Sequence, residues 1–199
     1  MTVPRRRLSS SLVAAAVLVA APAAHATEGE TDVTGTAFVS FLDARAKGTH
    51  VGVGGAVTLR HGLTDVFDGA VELSVTGQPS IDALRLGAAA GIHYIVDVAR
   101  FRPHLGLLVG VEDLWVLSCD PRPSNIEGVT AMRPPLFDCG HELMPAAIAP
   151  LGIEYAPEAP FRIGFAARIV LLPFRSDIPD VLFGTSFGAS FAYILDDEP

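Results

Sequence analysis

The pattern of apolar and polar positions along this chain repeats every two residues. From Phe161 to Leu171 one face reads Phe161, Ile163, Phe165, Ala167, Ile169 and Leu171, and the other Arg162, Gly164, Ala166, Arg168 and Val170. From Val181 to Leu195 an apolar face of Val181, Phe183, Phe187, Phe191, Tyr193 and Leu195 alternates with Gly184, Ser186, Gly188, Ser190 and Ala192. Side chains of a strand point alternately to its two faces, so each stretch predicts a strand with one apolar face and one small or polar face. Carried along the chain, this reading predicts eight strands, at 34–43, 50–61, 66–76, 82–96, 101–117, 142–156, 161–172 and 181–195. The breaks at 62–65, 97–100 and 157–160 are short, whereas the other set includes longer ones, up to the proline-bearing stretch 118–141. An even number of antiparallel strands, turned tightly at one end and looped at the other, is the pattern of an all-β, eight-stranded antiparallel up-and-down transmembrane β-barrel.

Parity also sorts the charges. Arg60, Asp68, Glu72, Arg85, His93, His104, Glu112, Glu154, Arg162 and Arg168 all fall on the small-residue face, and Leu, Val, Ile, Ala and Phe fill the other. A lipocalin-like soluble barrel needs the reverse, apolar residues inward. With a four-residue turn at 97–100, opposed residues of the hairpin have numbers summing to 197. That register sets Ile92 against Leu105, Gly91 against Gly106, His93 against His104 and Arg85 against Glu112. A sum of 128 for the second and third strands sets Arg60 against Asp68. Opposite charges facing one another are what an enclosed polar interior requires. A slip of one residue would invert every face, and a slip of two would preserve them.

Composition places the chain outside the cytoplasm. Residues 1–26 carry Arg5, Arg6 and Arg7, an apolar run from Leu12 to Ala21, and Ala24-His25-Ala26, an A-x-A cleavage site. This is the layout of a secretory signal peptide, and its apolar run is shorter than the ~20 residues of a spanning helix. The barrel domain is then 27–199. Cleavage removes three arginines and no acid, so the formal charge moves from −8 to −11. An acidic chain argues against a nucleic-acid partner, which needs basic patches for phosphate. Cys119 and Cys139 would meet an oxidising compartment, where a disulfide is the default. Closing their 19 intervening residues stabilises by roughly 3 kcal/mol in the chain-entropy picture.

Aromatics fall near the strand ends. Phe67, Tyr94, Phe101, Tyr155, Phe161 and Tyr193 lie toward the short turns, and Trp115, Phe174 and Phe183 toward the loops. Two aromatic belts flanking an aliphatic band are expected at the two interfaces of a membrane.

Two stretches carry a family likeness. "HGLTDVFDGAVELSV" (His61–Val75) and "LRLGAAAGIHYIVDVARFRPHLGLLVGVE" (Leu84–Glu112) resemble hairpins of small outer-membrane β-barrel proteins of the OmpX and OmpW type. In those proteins a "gL-x-D-x-F" turn precedes a strand, and "G-x-x-Y…R-F-R-P-x-x-G-x-x-x-G" spans a periplasmic turn. The resemblance implies an outer-membrane protein whose partners are outer-membrane lipid and the barrel-assembly machinery. Such barrels usually end on an aromatic residue. Here Phe191 and Tyr193 are followed by Asp196-Asp197-Glu198-Pro199.

Chemistry is sparse. "GVGGAV" (Gly52–Val57) sits inside a strand and lacks the Gly-Lys-Ser/Thr ending of a phosphate loop. His93 and His104 could pinch a metal across their hairpin, but two ligands do not make a structural site, and no metal or cofactor is assigned. Ser118, His141 and Glu142 flank the long loop without a pattern that positions them as a nucleophile system. The expected role is therefore structural or surface-interacting, non-enzymatic, and carried by the outward loops, with 118–141 as the contact surface. The alternatives are a soluble periplasmic barrel holding a small apolar ligand, and a barrel-embedded lipid-modifying enzyme. An eight-strand lumen is just filled by side chains, which argues against an open pore.

Overall fold

The computed structural model describes residues 28–44, 48–79, 82–117, 140–157, 160–173 and 181–195. The signal segment, Ser118, both cysteines, Phe174 and the last four residues lie outside them. Eight strands follow in chain order: β1 Thr31–Ala44, β2 Gly48–Gly62, β3 Phe67–Gln78, β4 Ala83–Ile95, β5 Phe101–Val116, β6 Gly140–Tyr155, β7 Phe161–Pro173 and β8 Val181–Ile194. Each pairs antiparallel with its sequence neighbours, and β8 pairs with β1 to close the barrel. Closure removes every open strand edge, which a lipid environment demands, because an unpaired backbone group there has no water to bond.

Register fixes the shape. Paired positions run Asp32, Arg60, Ala70, Gly91, Leu108, Ile148, Val170 and Gly184, then return to β1 at Leu42. From 32 to 42 is a stagger of ten residues around eight strands. With ~3.3 Å per residue and ~4.8 Å between strands, that stagger tilts the strands by about 40°. The tilt puts Asp32 at the short-turn end and Leu42 near the loop end.

Two hairpin registers differ from the sequence expectation, each by two residues. β4 and β5 pair with numbers summing to 199, so His93 faces Gly106, Gly87 faces Glu112, and Arg85 faces Leu114. β2 and β3 sum to 130, so Arg60 faces Ala70 and Gly62 faces Asp68. At β4–β5 the observed register is the better fit by volume. In the expected register glycine would face glycine and histidine would face histidine. In the observed one each lumen glycine of β4 and β5 takes a larger neighbour. A Cβ on Gly91 would come within 2.1 Å of Leu107 O, so the neighbouring backbone occupies the space a side chain would need. Large-against-small pairing fills a narrow lumen.

The shifted register tightens the β4–β5 turn. Val98 and Phe101 exchange backbone hydrogen bonds of 2.8 and 3.0 Å, leaving a two-residue turn of Ala99 and Arg100. Two-residue hairpins that match strand twist need positive φ at the first central residue, and Ala99 has φ 57°. At the β2–β3 turn the Thr64 hydroxyl accepts from Phe67 N at 3.1 Å and Val66 N at 3.4 Å, so this side chain shapes the turn.

Candidate functional site

The outer wall is the reverse of a soluble protein's surface. Large apolar side chains point out on every strand, among them Val53, Leu73, Leu107, Val109 and Phe165, each more than half exposed. Among the described strand residues of outward parity, only Asp43 and Asp113 carry an acid or base of fixed charge, and both lie at the loop end. Between them and the short turns runs an uncharged band, the surface a bilayer requires.

Aromatic pairs edge that band. At the short-turn end Phe67 tilts against Tyr94 at 5.4 Å, Phe101 against Tyr155 at 5.5 Å, and Phe161 stacks on Phe191 at 6.0 Å. Tyr94, Phe101 and Tyr193 are exposed and Tyr155 is half-buried. Tyr193 is the strand partner of Phe161. At the loop end Trp115 stacks on His141 at 5.3 Å, and its indole N–H donates to Asp113 Oδ2 at 2.7 Å. His141 Nδ1 lies 3.2 Å from Asp113 Oδ1. This pair is on the outer wall, whereas Glu142 has inward parity on β6. The structure thus separates His141 from Glu142.

Inside, all ten charged or imidazole residues singled out in the sequence point into the barrel. Nine of them are buried and His104 is half-buried. Near the short turns they form a linked floor. Arg60 bonds Asp32 through Nε at 2.9 Å and Glu154 through a terminal nitrogen at 2.9 Å. Arg162 bonds Asp32 at 2.9 Å and also Glu30. Arg102 bonds Glu30 at 3.2 Å and Asp97 at 2.6 Å. Asp68 sits in the field of Arg60 and Arg102. Asp97 lies in the turn outside the strands. Burial pushes its carboxyl above the ordinary aspartate range, and Arg102 only partly offsets this.

Above the floor the polarity thins. Arg168 pairs with Glu72, to which Thr58 also donates, and its guanidinium lies 5.1 Å from the ring centre of Phe38. Higher still, Arg85 and Glu112 stand 3.1 Å apart; the pair survives the register shift as a diagonal contact instead of a direct one. Around them Leu42, Leu108, Leu114, Met144, Ile148, Val170 and Leu172 form one buried cluster, beside the buried polar side chains of Ser40, His50, Thr76, Gln78 and Ser186. The sequence reading of a small or polar inner face is therefore corrected in part: the loop-end half also carries this aliphatic cluster. Those residues have inward parity and could have been found by extending the alternation that placed the charges. Asp32 was missed because the first strand begins at Thr31, three residues before its expected start. Arg102 and Phe38 were legible by parity alone. Glu30 and Asp97 lie outside the strands and carry no parity signal.

Comparison with known proteins supports the fold. No protein-family model matches the chain, and no curated protein matches it. Among solved structures it is similar to Neisserial surface protein A, with TM-score 0.63 and 14% identity, over 82% of this chain and 96% of that one. Two further likenesses are OprG from Pseudomonas aeruginosa (TM-score 0.49, 9% identity, 85% and 97% covered) and Ail of Yersinia pestis (0.47, 11%, 84% and 100%). The chain has the fold of the small eight-stranded outer-membrane barrels.

Proposed function

We propose that the chain is an integral outer-membrane protein whose barrel is a rigid anchor and whose loops make its contacts. The observation that carries this is the wall: an uncharged apolar band outside, edged by aromatic pairs, around a lumen packed with ion pairs and aliphatic side chains. Burying that band in lipid accounts for side chains that would otherwise be a large exposed apolar surface. An interior filled in this way favours an anchoring or surface-contact role over free solute passage. Its partners on this reading are outer-membrane lipid, the assembly machinery and an extracellular contact through 118–141. The signal segment 1–26 and a Cys119–Cys139 bond belong to the same reading.

The test is fractionation of cells expressing the full chain, followed by gel electrophoresis with and without boiling. Recovery in the outer membrane with a heat-dependent mobility shift supports the reading. Recovery in the soluble periplasm without a shift overturns it. Deleting 120–138 should then abolish surface contacts while leaving the shift intact.

A further inference from the structure

The outer wall carries a broad groove that no described side chain fills. It measures about 690 Å³ and runs over β8, β1, β2 and β3. Its bed lies where outward positions have little or no side chain. Ala189, Ala37 and Gly55 are strand partners in one row, and Gly35 lies beside them. Large side chains stand at its two ends, Phe191 on β8 and Leu73 and Val75 on β3. A Cβ on Gly35 would meet nothing nearer than Phe191 O, at 3.9 Å. Outward Gly69 differs: Leu63 of the β2–β3 turn lies 3.5 Å from where its Cβ would be and covers that gap.

Shape and height point to what fits the groove. It crosses three of the eight seams of the barrel, an arc of ~14 Å at ~4.8 Å per strand. A second barrel is rigid and convex, and two convex walls touch along a line, so a second copy cannot follow this arc. A flexible chain can. Rows of paired residues climb toward the loops in the order β8, β1, β2, β3, as the stagger of the barrel requires. The groove therefore starts low, at Phe191, whose ring stacks on Phe161 in the short-turn aromatic belt. It rises to Leu73 and Val75 inside the uncharged band. Its lower end is level with lipid headgroups and its upper end with their tails.

We propose that this groove holds one acyl chain of a phospholipid from the short-turn leaflet. The proposal rests on the reading of the wall as embedded in a membrane and deepens it. Apolar surface alone selects no site in a bilayer, because lipid tails are as apolar as the wall; close packing does. Over Gly35, Ala37 and Gly55 a methylene chain reaches the backbone and gains dispersion contacts from the bed and from both ends. The wall of β5, lined outward by Leu105, Leu107, Val109 and Val111, offers no such recess. The volume is in the range of sites that retain small molecules.

The experiment is native mass spectrometry of the mature chain. The barrel is folded into dimyristoylphosphatidylcholine vesicles, checked by the heat-dependent gel shift, and extracted in detergent. The wild-type barrel should keep one phospholipid as its main adduct. Ala37→Leu and Ala189→Leu fill the bed and should each lower that adduct at least about fivefold. Ala147→Leu, outward on β6 and outside the groove, should leave it unchanged. If either filling variant fails to fold, Gly35→Ala, whose added methyl group has room, should lower the adduct in the same direction. A shifted wild-type barrel that keeps no phospholipid overturns the proposal, and so does an adduct that survives every filling variant. A two-barrel mass that disappears in Ala37→Leu also overturns it, by seating a second copy in the groove. Loss of the heat shift in the wild type would instead count against the membrane reading itself.

Discussion

The two halves of the lumen solve the same problem by different means. Near the short turns, eight ionised side chains and two histidines fill the barrel, and stability depends on each charge keeping its partners. Near the loops, an aliphatic cluster from Leu42 to Leu172 fills much of it by shape, with the Arg85–Glu112 ion pair and the buried His50, Thr76 and Gln78 set beside it. The floor is a network in which one arginine serves two acids. The upper half is a packed core in which each side chain contributes its own burial. Damage should therefore spread in the floor and stay local above it.

Mutations can break that contrast. The largest effect should come from Arg60→Met, which leaves Asp32 and Glu154 buried with one partner fewer and should cost about 3–5 kcal/mol. Leu108→Ala, at a fully buried site of the upper half, should cost about 2–4 kcal/mol through lost burial and a cavity. Both are read by denaturant unfolding in detergent or lipid. Equal costs would not refute the contrast, but equal coupling would. Pairing Arg60→Met with Arg162→Met should depart from additivity, and pairing Leu108→Ala with Leu172→Ala, both in the upper cluster, should depart from it far less.

Outside both halves, Ala99→Gly relieves an alanine at positive φ and should stabilise by about 1 kcal/mol in the same assay. The double replacement of Arg85→Met with Glu112→Leu should change stability by less than about 1 kcal/mol, because an isolated buried pair can give way to apolar side chains of similar size. A loss as large as that of Arg60→Met would show the upper pair to be as structural as the floor.

The smallest effect concerns pH. Asp97 has its carboxyl raised in the folded state. Its folded form therefore binds a proton more readily than its unfolded form. The stability this confers is present in acid and is lost as pH rises through and above the usual carboxylate range. Asp97→Asn should flatten that part of the stability-against-pH curve. A curve identical to wild type would show that Arg102 cancels the burial.

How much of this was legible depended on the kind of signal. Alternation is a local property, and it located all eight strands and the inward side of residues such as Arg85, Glu112 and Arg168. A strand with one polar face and one apolar face allows no other arrangement, since rotating it exposes the wrong side. The aliphatic upper lumen was also written in parity, yet apolar residues on both faces weaken the contrast that makes parity visible. The sequence by itself therefore determined the strands, the barrel class, and which face of each strand meets lipid.

The tertiary structure decided the register and everything that depends on it. A slip of two residues keeps every face, so hydrophobic patterning cannot choose between the two pairings. The choice fell to volume: Gly106 receives His93, Gly87 receives Glu112, and Ala99 turns into positive φ to close the tighter hairpin. Only then does Arg60 turn from Asp68 to Asp32 and Glu154, on strands β1 and β6. Those partners lie 28 and 94 residues away in the chain. Barrel closure brings them together, because the ten-residue stagger sets which parts of distant strands share a level.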